Sequence, residues 1–307
     1  MPPSFNSIST LTPTPLSSAN PRWMTCLLPW HAAEHVMRER YRAAWAWQSR
    51  AVAARHVQVH LRNWYTAALP PLLEPIVMLL AFGVGLGSQM PGIVWGSGEI
   101  TYLAYLAPGI LAYTAFMTAF FQSLFGAYIR MHYQRLWEGQ LITQVRLAHV
   151  IWGELYWAML LACSYAALVT LVLTGFAWFG LLSWHWHFLP VLIPAVAMTA
   201  LAFAALGLWF TAIVPTIDHM NLPFFIVILP VGFTSSTFFP LPEGILLIDI
   251  WQTINPLHHL AEGGRLILIE GRLNAHLWQG PLVSLLLVIT MIPLITRRLQ
   301  RRVLGED

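Results

Sequence analysis

Apolar residues in this chain fall into blocks rather than stripes. Six stand out: Thr66 to Gly87, Tyr102 to Gly126, Ile151 to Gly175, Leu189 to Val214, Leu222 to Phe239, and Leu282 to Thr296, the last short and read as beginning near Leu277. A bilayer core asks for about 20 consecutive apolar residues in a helix. No segment shows the ten-residue alternation of a membrane barrel, and a span has to satisfy its own backbone polar groups, so the blocks predict helices. The fold expected is all-α and polytopic, with six transmembrane helices.

The segments outside the blocks carry their own patterns. Residues 1–33 mix six prolines with serines and threonines and have no continuous apolar core, which predicts a flexible cytoplasmic tail rather than a secretory signal. Glu34 to Trp64 interleaves arginines with Tyr41, Trp45, Trp47 and Trp64 and lacks proline, the pattern of an amphipathic helix lying at headgroup level. The six-span body is then residues 65–307. Between the fifth and sixth blocks, Gly244 to Ile250 and Leu266 to Ile269 are apolar runs too short to cross, which predicts re-entrant or interfacial outer segments.

Composition agrees with this reading: 57% of residues are hydrophobic and only 9% charged, with a mean hydropathy of +0.63. An ordinary soluble domain carries roughly 25% charged residues. All sixteen basic residues are arginine. They cluster before the first block (Arg38 to Arg62), after the second (Arg130, Arg135, Arg146) and after the sixth (Arg297, Arg298, Arg301, Arg302). Positive charge stays on the cytoplasmic side, so these three places share one side and both termini are expected in the cytoplasm of a bacterial inner membrane.

The clearest chemical statement is an exclusion. A phosphate-cradling P-loop needs a lysine to reach the β and γ phosphates, and this sequence has none, so ATP and Mg are expected on a separate chain and no cofactor on this one. Gly83, Gly85 and Gly87 lack the third glycine and preceding strand of a dinucleotide loop and suit close helix packing instead. His31, Glu34 and His35 fit the inverted zinc-protease spacing, yet no third ligand falls on their side of the membrane, so the match reads as accidental and no metal is expected. Trp184 to His187 suits an aromatic interfacial belt, and Cys26 and Cys163 read as structural thiols.

Glu74, inside the first block beside Pro70, Pro71 and Pro75, is the intramembrane polar candidate, because a charge at that depth costs about 2.5–3.5 kcal/mol and calls for a partner or a role in transport. Glu154 and Asp218 read as interfacial charges. Tyr128 to Glu138, followed by Gly139 to Leu147, is a basic and aromatic element between two blocks, too amphipathic for a linker and suited to docking another protein.

The runs Leu73-Glu74-Pro75, Ala81 to Gly87, Tyr102-Leu103-Ala104-Tyr105-Leu106-Ala107-Pro108-Gly109 and Gly126 to Tyr133, with Phe238 to Pro242 and Asn255 to His259 later, resemble the type-two permeases of ABC exporters, in particular the nodulation protein J branch. The resemblance implies a homodimeric permease driven by two copies of a separate cytoplasmic ATPase of the nodulation protein I kind, exporting a lipo-oligosaccharide or similar amphiphile. It assigns ATPase coupling to Arg130, Met131, His132, Tyr133, Arg135 and Glu138, the connecting helix to residues 34–64 and re-entrant helices to the outer segment. After Glu138 the chain departs from the family's Ala-Thr-Pro run with Ile142-Thr143-Gln144. An efflux permease for small drugs of the same fold, an intramembrane lipid enzyme with Glu74 as base, and a sensor without an ATPase are the competing expectations.

Overall fold

The computed structural model describes residues 38–305 apart from 97, 184, 186, 188 and 243. The expected tail, the His31–His35 pattern, Cys26, Trp184 and Trp186 lie outside the described residues. A helical stretch at 38–45 breaks at Ala46, whose extended backbone starts α1 (Trp47–Arg62). Ser49, Val52, Ala53 and His56 form one buried stripe along α1 at helical spacing. Asn63 separates α1 from α2 (Trp64–Met78), which continues with wider helical turns over Leu79–Leu86 and closes at Gly87–Gln89. A small antiparallel hairpin of β1 (Ile93–Trp95) and β2 (Gly98–Ile100) leads to α3 (Tyr102–Phe121), capped by the Thr101 hydroxyl and prolonged through Gln122–Gly126 and Ile129–Tyr133.

Arg135 adopts a left-handed backbone at φ 46° and turns the chain into the short α4 (Leu136–Leu141). Next come α5 (Leu147–Trp178), α6 (Leu189–Ile213), α7 (Asn221–Phe233), α8 (Leu246–Ile254), α9 (Pro256–Leu268) and α10 (His276–Leu299), the last prolonged over Gln300–Leu304. The architecture is helical, as its apolar blocks require.

Five of the described helices are long and apolar enough to cross a membrane: Pro71–Gln89, Tyr102–Tyr133, Leu147–Trp178, Leu189–Ile213 and His276–Val303. The fifth expected block behaves differently. Its helix α7 has 13 residues, about 20 Å of rise against a core of about 30 Å. The chain leaves the helix at Thr234, where hydroxyl groups of Thr234, Ser235 and Thr237 bond back to the carbonyls of Pro230, Val231 and Gly232 and hold a turn rather than another helical repeat.

The centre of the bundle is α3, whose residues Tyr105, Ala107, Ala112, Ala115, Phe116, Ala119 and Phe120 are wholly buried. It packs on α5, α6 and α9, while α2 and α7 present Leu73, Val77, Leu80, Phe225, Ile226 and Leu229 outward. Small residues make the close approaches: a Cβ on Gly153 of α5 would stand 2.5 Å from Val52 of α1, and one on Gly207 of α6 2.6 Å from the Phe120 carbonyl. Gly83 packs against Leu103 and Gly87 against Tyr102, joining α2 to the start of α3.

Candidate functional site: two buried polar clusters and an exposed turn

Three arginine-bearing segments converge at one end of the bundle. Arg302 donates from Nη1 to the carbonyls of Thr211 and Val214 at 2.7 Å, lies 3.2 Å from His132 Nε2, and faces the Tyr128 ring at 5.5 Å. Tyr128 itself donates to the Pro215 carbonyl at 2.9 Å. The prolonged end of α3 thus meets the end of α10 and the loop after α6. Residues 40–44 join the same end: Trp152 Nε1 of α5 donates to the Arg40 carbonyl at 2.8 Å and the Tyr156 hydroxyl to that of Ala44 at 2.8 Å.

Within this basic end lies a carboxylate that the sequence suggests is interfacial and the structure buries. Glu154 is 1% exposed. Arg130 Nε bonds both of its oxygens at 3.0 Å and Nη2 adds a third bond. Trp137 Nε1 of α4 donates to Oε1 at 3.0 Å, and His56 Nε2 of α1 lies 3.4 Å away. With its amide oxygen turned toward them, Gln122 accepts from Arg130 Nη1 at 2.8 Å and Trp157 Nε1 at 2.6 Å. One carboxylate therefore holds together α1, the end of α3, α4 and α5. The apolar setting explains the donor number: a buried charge is tolerated when its lone pairs are matched by charged and neutral donors.

The six residues singled out for coupling divide in two. Arg130 and Met131 point inward, Arg130 onto Glu154 and Met131 into the core at 6% exposure. His132, Tyr133, Arg135 and Glu138 face outward, Tyr133 at 65% exposure, and Ile142 follows at 88%. The result is an exposed aromatic and ionic turn on a buried ionic base. Asp218 remains exposed in the turn before α7. Glu74 is exposed on α2, with Tyr113 of α3 close enough to feel its charge. Cys163 is half-buried in α5.

The opposite end holds a second cluster, which the sequence does not single out. Arg265 of α9 is wholly buried, its guanidinium 3.7 Å from the Tyr105 ring centroid. It donates to the Tyr105 carbonyl at 3.0 Å, to Glu262 at 2.5 Å, and to the carbonyls of Ser236 and Thr237. Glu262 also accepts from Trp95 Nε1 of β1 at 3.0 Å and from the Ser236 hydroxyl at 2.8 Å. His258 Nδ1 lies 3.0 Å from the same hydroxyl. Ser236 has a left-handed backbone at φ 51°, and the Tyr105 hydroxyl and Arg265 both bind its carbonyl, which is how the surroundings hold a strained residue in place.

Helix α9 is not among the five helices of spanning length. Burial opposes charge on Glu262, but Arg265 and the donors from Ser236 and Trp95 prevail and hold its carboxyl below the ordinary range. Burial pulls the His258 imidazole down to about 4, so it is neutral near pH 7. This cluster is saturated within itself, leaving no group aimed at a substrate; it fastens the segment after α7 to the first turns of α3. Asn255 completes the fastening, its amide nitrogen on Ser235 at 2.6 Å and its oxygen capping α9. The His185 backbone N–H donates to the Leu268 carbonyl at 2.8 Å and its ring lies over Gly271. Among the described residues no cluster of three or more His, Cys, Asp or Glu side chains could hold a metal ion.

A helical bundle with spanning helices, one basic end and a re-entrant-type segment at the other is a multi-pass membrane protein. Residues 48–269 match the ABC-2 type transporter family, and the chain belongs to that family. It is similar to Nodulation protein J of Rhizobium leguminosarum bv. trifolii, 34% identical over 200 residues that cover 64% of this chain and 73% of that one. It is similar to Nodulation protein J of Bradyrhizobium diazoefficiens, 33% identical over 248 residues covering 78% and 90%. The Inner membrane transport permease YadH of Escherichia coli is 23% identical over 222 residues covering 70% and 80%. The chain is accordingly a bacterial multi-pass permease of an ABC transporter, a transport subunit rather than an enzyme.

Proposed function

We propose that this chain is the membrane half of an ATP-driven exporter, carrying a lipo-oligosaccharide or polysaccharide-type amphiphile from the cytoplasmic leaflet outward across the inner membrane. Two copies enclose a pathway lined by α2, α3 and α7, the first, second and fifth elements of the bundle. Two copies of a cytoplasmic ATPase, of the nodulation protein I kind, bind at the basic end with ATP and Mg. Both termini then lie in the cytoplasm. The observation that supports this reading is the exposed turn of His132, Tyr133, Arg135 and Glu138 on its buried Arg130–Glu154 base, at the end where the arginines gather.

The geometry supports coupling through this turn. ATP binding closes the ATPase pair, and that closure displaces whatever is seated in it. A turn that was merely a flexible loop would absorb the displacement; one whose Trp137 and Arg130 are bonded into α5 passes it to the bundle, which shifts between two arrangements. Glu74, on the outward face of α2, is the polar candidate along the pathway.

The test is purification of the tagged chain in mild detergent with mass spectrometry of what remains bound. A near-stoichiometric Walker-type ATPase, lost when residues 130–138 are scrambled, is expected. Arg135→Glu combined with Glu138→Arg should keep insertion while uncoupling ATP turnover from export, and unchanged export would refute the coupling assignment.

A further inference from the structure

We infer that Glu154 is the positioning residue of the coupling machinery, joining the docking turn to the arginine-rich α1 as well as to α5 so that the three move as one body. The inference rests on the coupling reading above and extends it to a residue and a helix outside the docking surface.

The argument is one of connectivity. Residues of α4 and the end of α3 could be held by α5 alone, and a single ion pair would suffice. Glu154 instead touches each neighbour: it accepts hydrogen bonds from Arg130 of α3 and Trp137 of α4 and lies 3.4 Å from His56 in the buried stripe of α1. The His56 contact is reinforced on both sides. Val52, one turn earlier, presses on Gly153, the residue beside Glu154, and Trp157, one turn later on α5, meets the rings of His56 and His60 at 5.9 and 5.3 Å. Trp157 also returns to Arg130 through Gln122. The circuit from Arg130 through Glu154, His56, Trp157 and Gln122 back to Arg130 is closed. The charge-assisted Arg130–Glu154 pair is its buried centre, and the packed rings of His56 and Trp157 hold α1 against it, so a push on Arg130 reaches α5 and α1 together.

The consequence is a division of labour. Exposed residues of the turn meet the ATPase; Glu154 decides where the push goes. Without its charge the turn still docks, while α1 and α5 no longer follow together.

The experiment uses the full-length chain with its ATPase in nanodiscs, in a Cys26→Ser, Cys163→Ser background carrying Val94→Cys. Val94 lies in the hairpin at the opposite end and is 78% exposed. The readout is the rate of labelling by a polar maleimide with and without vanadate trapping of ATP, beside ATPase retention and turnover. Glu154→Gln is expected to retain the ATPase and its turnover while the trapping-induced change in labelling falls at least five-fold. The Arg130→Gln, Glu154→Gln pair, which restores a neutral hydrogen-bonded match, should recover most of that change, a rescue that loss of packing alone would not give. If Glu154→Gln does not insert, His56→Asn decides, because it cuts only the tie to α1; a reduced response with the ATPase still bound supports the inference. A wild-type response in whichever of these variants inserts overturns it. If the wild-type chain retains no ATPase, or shows no response to trapping, the coupling reading fails and the inference falls with it.

Discussion

Replacing Arg265 with methionine should be among the most damaging single changes at the end of the bundle opposite the arginine-rich one. The guanidinium is wholly buried and serves Glu262 together with the carbonyls of Tyr105, Ser236 and Thr237. Methionine fills much of the volume but donates nothing. Three carbonyls lose this donor, of which that of Ser236 keeps the Tyr105 hydroxyl at 2.9 Å, and one largely buried carboxylate loses its counter-ion. Breaking a buried ion pair from one side costs about 3–5 kcal/mol, chiefly because the remaining charge is stranded. A Glu262→Gln, Arg265→Met double variant removes that charge and leaves mainly the orphaned carbonyls, about 1–3 kcal/mol each at most. Thermal unfolding in detergent, followed by size-exclusion of a fluorescent fusion, reads the difference. At roughly 2–4 °C per kcal/mol, the single variant should lose on the order of 10 °C, and the double variant should recover about half of that. A single variant that melts with wild type, or a double variant as weak as the single, would show that the pair is not the unit holding this end together.

Other outcomes follow from close approaches and charges. Gly109→Ala places a Cβ against the Thr237 backbone, well inside van der Waals contact, and should destabilise by about 1–3 kcal/mol in the same assay; an unchanged midpoint would refute the contact. Gly153→Ala crowds Val52 and should weaken the seating of α1, with Val52→Ala in the same chain recovering most of the loss. Trp137→Phe removes one donor to Glu154 and should cost about 1–3 kcal/mol without releasing Arg130. Because Glu262 is held below the ordinary carboxylate pKa, its contribution is fully present above that value and disappears as pH falls through the lowered one. Melting between pH 7 and pH 3 should therefore show a decline that Glu262→Gln lacks.

The long helices, the clustering of arginines and the shortness of the helices between the fifth and sixth blocks were legible because hydropathy reports which residues avoid water, and that constraint acts residue by residue. Partnership is different. Arg130 meets Glu154 across 24 positions and Arg265 meets Tyr105 across 160, and no local pattern encodes which helix faces which. A signal did exist for Glu154. It stands two turns inside α5 with apolar neighbours, and a carboxylate at that depth implies a cation nearby. Its closeness to the arginine-rich start of the block suggested an interfacial charge instead. The fifth block was over-extended for a related reason: serine and threonine barely interrupt an apolar average, yet their hydroxyls compete for backbone carbonyls and end α7 at Phe233.

The stretches that carry the family resemblance turn out to meet in space. Tyr102 to Gly109 forms the first turns of α3 and Asn255 to His259 opens α9, and both reach the Arg265–Glu262 cluster through Tyr105 and His258, while Phe238 follows directly on Thr237, whose carbonyl Arg265 binds. At the other end, Gly126 to Tyr133 carries Arg130 to Glu154. Tyr105 and Arg130 stand roughly 35–40 Å apart along one helix. Each is tied there by a guanidinium–carboxylate pair to a different set of neighbours. Apolar packing alone would let α3 slide or rotate against its neighbours at little cost, because lipid and protein interiors are similarly apolar. Two ionic clusters fix its register at both ends, and under the coupling proposed above α3 is the element that joins the basic end to the segment after α7.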